Sequence, residues 1–228
     1  MRALETRAMT RRSVRIEGAG VTLEGDLSVP PAATGIVLFA HGSGSSRHSP
    51  RNRQVAESLQ QAGVGTLLFD LLTTAEEAED RWTRQFRFDI PLLARRLVAS
   101  TDWLVAQGQA GLPLGYFGAS TGAAAALIAA AERADLIGAV VSRGGRPDLA
   151  GHALERVRAA TLLIVGAEDR EVIGMNELAL ARLTCEKRLV LVPAATHLFE
   201  EPGALESVAT LASEWFVRHF TGITEGAR

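Results

Sequence analysis

Two hydrophobic patterns alternate along the chain. Short runs that are apolar at nearly every position stand at residues 35–40 (GIVLFA), 64–72 (VGTLLFDLL), 114–118 (LGYFG), 136–142 (LIGAVVS), 162–165 (LLIV) and 188–192 (RLVLV). Such runs suit strands buried on both faces. Between them lie longer segments with apolar positions at helical spacing: 51–62, 89–107, 121–133, 172–183 and 205–220. Asp89-Ile90-Pro91 opens the second of these with a capping residue and a first-turn proline. Residues 14–17 and 21–29 flank Gly18-Ala19-Gly20 and read as an antiparallel pair that Pro30-Pro31 ends. Residues 73–87 are charged and read as irregular. The alternation predicts an α/β domain over residues 13–228, with about eight strands in a mostly parallel sheet and helices on both faces. Residues 1–12 read as a frayed or extraneous lead, or as a weak amphipathic helix.

Open α/β sheets bind ligands beyond the carboxyl ends of their strands. Four strand ends here deliver chemistry to that edge. GIVLFA is followed by His41-Gly42-Ser43-Gly44-Ser45-Ser46, LGYFGA by Ser120, LLIVGAE by Asp169, and RLVLVPAAT by His197. A serine hydroxyl needs a neighbouring base to act as a nucleophile. In Gly118-Ala119-Ser120-Thr121-Gly122 the serine sits where a strand turns into a helix, with glycines leaving room for a sharp turn. The Thr121 N–H then lies at a helix N-terminus, which favours negative charge. His197 can take and return a proton, and Asp169 can fix its tautomer. Glu168 and Glu171 are rival acids, but Asp169 stands at the loop tip. The loop after residue 40 can give a second N–H, from Ser43, to an oxyanion. His41 reads as a residue that shapes that loop. His48, His152 and His219 do not follow strands. Each feature also has a plain reading: a small residue in a tight turn for Ser120, a helix cap for Asp169, a loop histidine for His197. The order serine, acid, histidine gives the three their joint weight.

Composition narrows the picture. With 228 residues and 47% hydrophobic content, the chain suits one sizeable core. A net charge of −2 gives no electrostatic case for nucleic acid. Apolar runs fall short of a membrane span, and the basic start lacks the apolar centre of a signal peptide. One cysteine, Cys185, excludes an internal disulfide and a multi-cysteine zinc site and fits a reducing, cytoplasmic setting. No cofactor or metal is implied, and a monomer or homodimer is expected.

Five arginines, Arg47, Arg51, Arg53, Arg143 and Arg146, fall beyond strand ends. Most arginines so placed are solvated or salt-bridged. The sharper reading makes Arg47, Arg143 and Arg146 anchors for an anionic substrate. Segment 73–89 can fold over the site, with Trp82, Phe86 and Phe88 lining an acyl pocket or simply packing.

The segments LEGDLSVP, HGSGSSRHSPRN, GYFGASTG, VSRGGRPDL, VGAEDREV and ATHLFEEPG together resemble the dienelactone hydrolase-like family of α/β-hydrolases. The resemblance runs from about Leu23 to Phe220. It implies the α/β-hydrolase fold, a triad of Ser120, Asp169 and His197, oxyanion donors from Ser43 and Thr121, and an ester, thioester or lactone substrate. Dienelactone hydrolases of that family carry a cysteine nucleophile, and here Ser120 takes its place. No long insertion follows residue 142, so no large lid domain is expected and the pocket should be shallow or open. An acyltransferase, a non-hydrolysing ligand-binding protein and a partner-interaction module are the alternatives.

Overall fold

The computed structural model describes residues 9–109 and 111–221. Eight strands form one sheet: β1 (Thr10–Gly18), β2 (Val21–Val29), β3 (Ile36–Ala40), β4 (Gly65–Phe69), β5 (Leu114–Ala119), β6 (Ile137–Arg143), β7 (Ala160–Gly166) and β8 (Lys187–Val192). Their spatial order is β1-β2-β4-β3-β5-β6-β7-β8. β1 pairs antiparallel with β2 and β2 with β4, and the remaining pairs are parallel. Six α-helices accompany the sheet: α1 (Pro50–Gln61), α2 (Thr74–Thr83), α3 (Ile90–Leu104), α4 (Thr121–Glu132), α5 (Arg170–Arg182) and α6 (Ala204–Thr221).

The central strands separate two cores. Along β3, Ile36, Leu38 and Ala40 join Leu93 and Leu97 of α3, the alanines of α4 and Ala179 of α5. Val37 and Phe39 face the other way, onto Val55 and Leu59 of α1 and Val208, Trp215 and Phe216 of α6. This is the period of two that a strand buried on both faces requires. α4 is buried almost throughout, because its alanines let it lie close to the sheet and to α3. Asp89 caps α3 as its sequence indicates, accepting the Leu92 N–H at 2.9 Å.

Two segments differ from expectation. β1 begins at Thr10, inside the stretch read as a lead, and residues 1–8 lie outside the described residues. β1 is an edge strand with Ile16 as its one buried side chain, so hydrophobicity hides its start. Residues 73–87 are not irregular throughout. They hold α2, opened by a capping box in which Thr73 accepts the Glu76 N–H and Glu76 accepts the Thr73 N–H. The loop after β6 contains a 3-10 helix, Pro147–Arg156, interrupted at Gly151. That short element is all that separates β6 from β7, so no large extra domain is inserted there.

Candidate active site

The Ser120 turn is built by exclusion. Ser120 has φ 50° and ψ −122°, a region costing a non-glycine residue about 1–3 kcal/mol. A Cβ at Gly118 would lie 2.5 Å from Ala123 Cα, and one at Gly122 would lie 2.2 Å from the Ala40 carbonyl oxygen. Only glycine lets α4 start this close to β5 and β3. The Ser120 N–H donates to the Arg143 carbonyl (3.3 Å), and its carbonyl accepts from Ala123 N–H (3.1 Å) and Arg146 N–H (3.0 Å). The turn is thus fastened to the end of β6.

Register brings the other groups to the same edge. Ala119 pairs with Arg143, so the ends of β5 and β6 lie side by side. Gly166 pairs with Val192, which sets the Asp169 loop beside the His197 loop. His197 Nδ1–H donates to Asp169 Oδ2 at 2.7 Å. A carboxylate can only accept, so the proton sits on Nδ1 and leaves Nε2 as the basic nitrogen. Asp169 stands at the N-cap of α5 but makes no side-chain cap bond, because its carboxylate is turned to the histidine. The His197 loop is pinned by buried Ala195 and Phe199. A Cβ at Gly144 would approach His197 Cε1 to 3.7 Å, so the residue after Arg143 borders the imidazole while Arg143 itself holds Ser120. Among the described residues, neither the Ser120 hydroxyl nor His197 Nε2 has a hydrogen-bond partner.

The loop after β3 lies against Ser120. A Cβ at Gly42 would meet Ser120 Cβ at 3.2 Å. His41 props this loop: its Nε2 accepts the Leu71 N–H and its Nδ1–H donates to the Gly42 carbonyl, both at 3.0 Å. The ring is therefore neutral, and burial lowers its pKa below the usual 6.5. The next amide, Ser43 N–H, donates to Thr121 Oγ1 at 3.1 Å. A half-open cleft of about 930 Å³ begins at Ser43 and runs between the start of α1 and α2, lined largely by hydroxyl and charged groups.

The arginines divide. Arg47 is held by Asp70, Glu24 and Asp26, and Arg146 by a two-pronged bond to Asp148 (2.9 and 2.8 Å). Arg53 meets His48 at 2.7 Å. Arg51 reaches Glu200 at 3.0 Å, bridging the start of α1 to the His197 loop side. Arg143 is only 9% exposed and, among the described residues, has no ion pair and no partner for its buried Nη1. Burial, with Arg51's nearby charge, pushes its pKa down to about 10. Segment 73–89 does reach the site, but not with its aromatics. Trp82 is 89% and Phe88 57% exposed, while Phe86 packs on the core. It is Glu77 and Arg87 that line the space beside Gly42, Ser43 and Gly44. Arg87 is locked by buried Asp80, which also accepts the Phe86 and Arg87 N–H groups.

No protein-family model matches the chain. The crystal structure of a dienelactone hydrolase from Anabaena variabilis is 61% identical, has a TM-score of 0.91, and is matched over 93% of this chain and 99% of that one. This chain belongs to the dienelactone hydrolase-like α/β-hydrolases. Est1E from Butyrivibrio proteoclasticus, at 17% identity and TM-score 0.75, shares the fold over 92% of this chain and 99% of that one. A Mycobacterium tuberculosis protein, provisionally named a phosphoribosyl transferase, is 57% identical over 210 residues, which is 92% of this chain and 46% of that protein. This dienelactone hydrolase-like chain therefore spans about half the length of the curated relatives it matches. Among the described residues no helix is long and apolar enough to cross a membrane, and no cluster of three metal-ligating side chains occurs.

Proposed function

We propose that the chain is a serine hydrolase of carboxylic esters or thioesters, including lactones, acting on a small-molecule substrate. The observation that carries this is the His197–Asp169 bond, whose imidazole borders Gly144, the residue after the Arg143 that holds the strained Ser120 turn. Ser120 Oγ attacks the substrate carbonyl carbon while its proton passes to His197 Nε2. The tetrahedral oxyanion faces the Thr121 N–H, which as the first residue of α4 has no intrahelical acceptor. Collapse expels the alcohol or thiol, which takes the proton from His197. Water then attacks the acyl-serine with His197 again as base, and Ser120 is released with the acid product. Asp169 holds the tautomer and stabilises the imidazolium.

An anionic substrate deepens this reading. Of the three arginines named from the sequence, Arg47 and Arg146 already have carboxylates, and Arg143 has none. A buried cation without an acceptor is costly, and a substrate carboxylate would supply one. The name of the Mycobacterium tuberculosis relatives describes a protein about twice as long, so it does not decide the chemistry of this part.

The test is turnover of a paired series of neutral and carboxylate-bearing p-nitrophenyl esters and thioesters. Ser120-dependent hydrolysis that favours the anionic members supports the reading. Turnover that survives Ser120→Ala, or none at all in the folded protein, counts against it.

A further inference from the structure

The Ser43 N–H is the second oxyanion donor expected of this site, yet its one proton is engaged by Thr121 Oγ1 at 3.1 Å. An oxyanion donor must lie about 2.7–3.1 Å from the oxygen it stabilises. An amide spent on a neighbouring hydroxyl is not free to do so. The hydroxyl, in turn, has accepted one bond and still has a proton to give. Among the described residues no acceptor takes it. Thr121 is only 4% exposed, so bulk water does not readily take it either. The same residue supplies the backbone N–H at the start of α4.

We propose that the Thr121 hydroxyl is a catalytic oxyanion donor, fed by the Ser43 N–H and paired with Thr121's own backbone N–H. This rests on the serine hydrolase reading above. In a chain of hydrogen bonds each donor polarises the next, so a hydroxyl that accepts from an amide donates more strongly. Ser43 then acts through Thr121 as a positioning group. The fixed point is Gly42, whose backbone packs against Ser120 Cβ and so holds the amide, the hydroxyl and the nucleophile in one register.

Three substitutions test this. Thr121→Ser keeps the hydroxyl, Thr121→Val keeps the shape without it, and Thr121→Ala removes both in a residue that helices favour. All three leave the backbone N–H in place. Steady-state hydrolysis of a p-nitrophenyl ester is measured beside thermal midpoints and the rate of fluorophosphonate labelling. The expected result is that Thr121→Val and Thr121→Ala lose about a hundredfold in kcat, with KM changed less than about threefold and labelling slowed in parallel. Thr121→Ser should stay within about threefold of wild type. If Val fails to fold, the Ala and Ser variants decide. The proposal is overturned if folded Thr121→Ala matches or exceeds wild type, because the freed Ser43 N–H then serves directly and the hydroxyl merely fills the hole. A wild type that neither turns over esters nor labels at Ser120 would sink the hydrolase reading instead.

Discussion

Gly122→Ala is the substitution through which the architecture can be tested most sharply. In an ordinary helix, alanine is better than glycine by about 1 kcal/mol. Here the added Cβ would stand 2.2 Å from the Ala40 carbonyl oxygen and 2.6 Å from that of His41. Both obstacles are backbone, so no side chain can rotate away. Overpacking of this kind costs about 1–3 kcal/mol. Setting its upper end against the propensity gain leaves a net loss of about 2 kcal/mol, or about 4–8 °C in thermal midpoint for a domain of this size. The strain enters where β3 gives way to the loop that packs on Ser120, so activity should fall further than stability, by about a hundredfold for a displacement near 1 Å. Gly174→Ala is the matched control. Gly174 is also helical, in α5, but a Cβ added there would meet nothing within 4 Å. That change should stabilise by about 0.5–1 kcal/mol without affecting turnover. Differential scanning calorimetry and ester hydrolysis on both variants give the answer. Wild-type stability and rate in Gly122→Ala, or equal losses in the two variants, would refute the packing argument.

Other outcomes follow from single contacts. Asp169→Asn should fold normally yet lose about four orders of magnitude in kcat, since an amide can select the wrong histidine tautomer. Arg143→Met should leave thermal stability unchanged or raised, because Nη1 is buried without a partner, while KM rises for anionic esters and not for neutral ones. His41 has its folded pKa lowered, so below about pH 6.5 the unfolded chain takes a proton that the native state refuses. The stability it supports is present above that pH and is lost as pH falls, and histidine nitrogen NMR should show a neutral Nδ1–H ring at neutral pH. Asp80→Ala should cost about 3 kcal/mol by urea unfolding, because it strands Arg87 and two backbone N–H groups.

Much of the sheet was legible because its central strands are buried on both faces and read as unbroken apolar runs. The serine, acid and histidine could be picked from the chain by one criterion, that each follows a strand. The arginines could not be sorted in that way. Arg47 meets Glu24, Asp26 and Asp70 from β2 and the end of β4, and such partners are visible only once the sheet is assembled. Arg143 looks like Arg146 in sequence, but it is buried and, among the described residues, lacks the carboxylate that Asp148 gives Arg146. Helix α2 was readable in principle from Thr73-Thr74-Ala75-Glu76, a capping-box spacing, but its mixed charges gave no apolar stripe. Trp82 invited a pocket role by its size, and its exposure on α2 removes it from the site. The engagement of Ser43 by Thr121 joins residues 78 apart and could not have been read from local pattern.

The central claim is that Ser120 is an activated nucleophile. Its most direct test is intact-protein mass after exposure to a small fluorophosphonate, wild type beside Ser120→Ala. One adduct on the wild type and none on the variant is the expected result. An unlabelled, well-folded wild type, or an adduct that persists in Ser120→Ala, would contradict it.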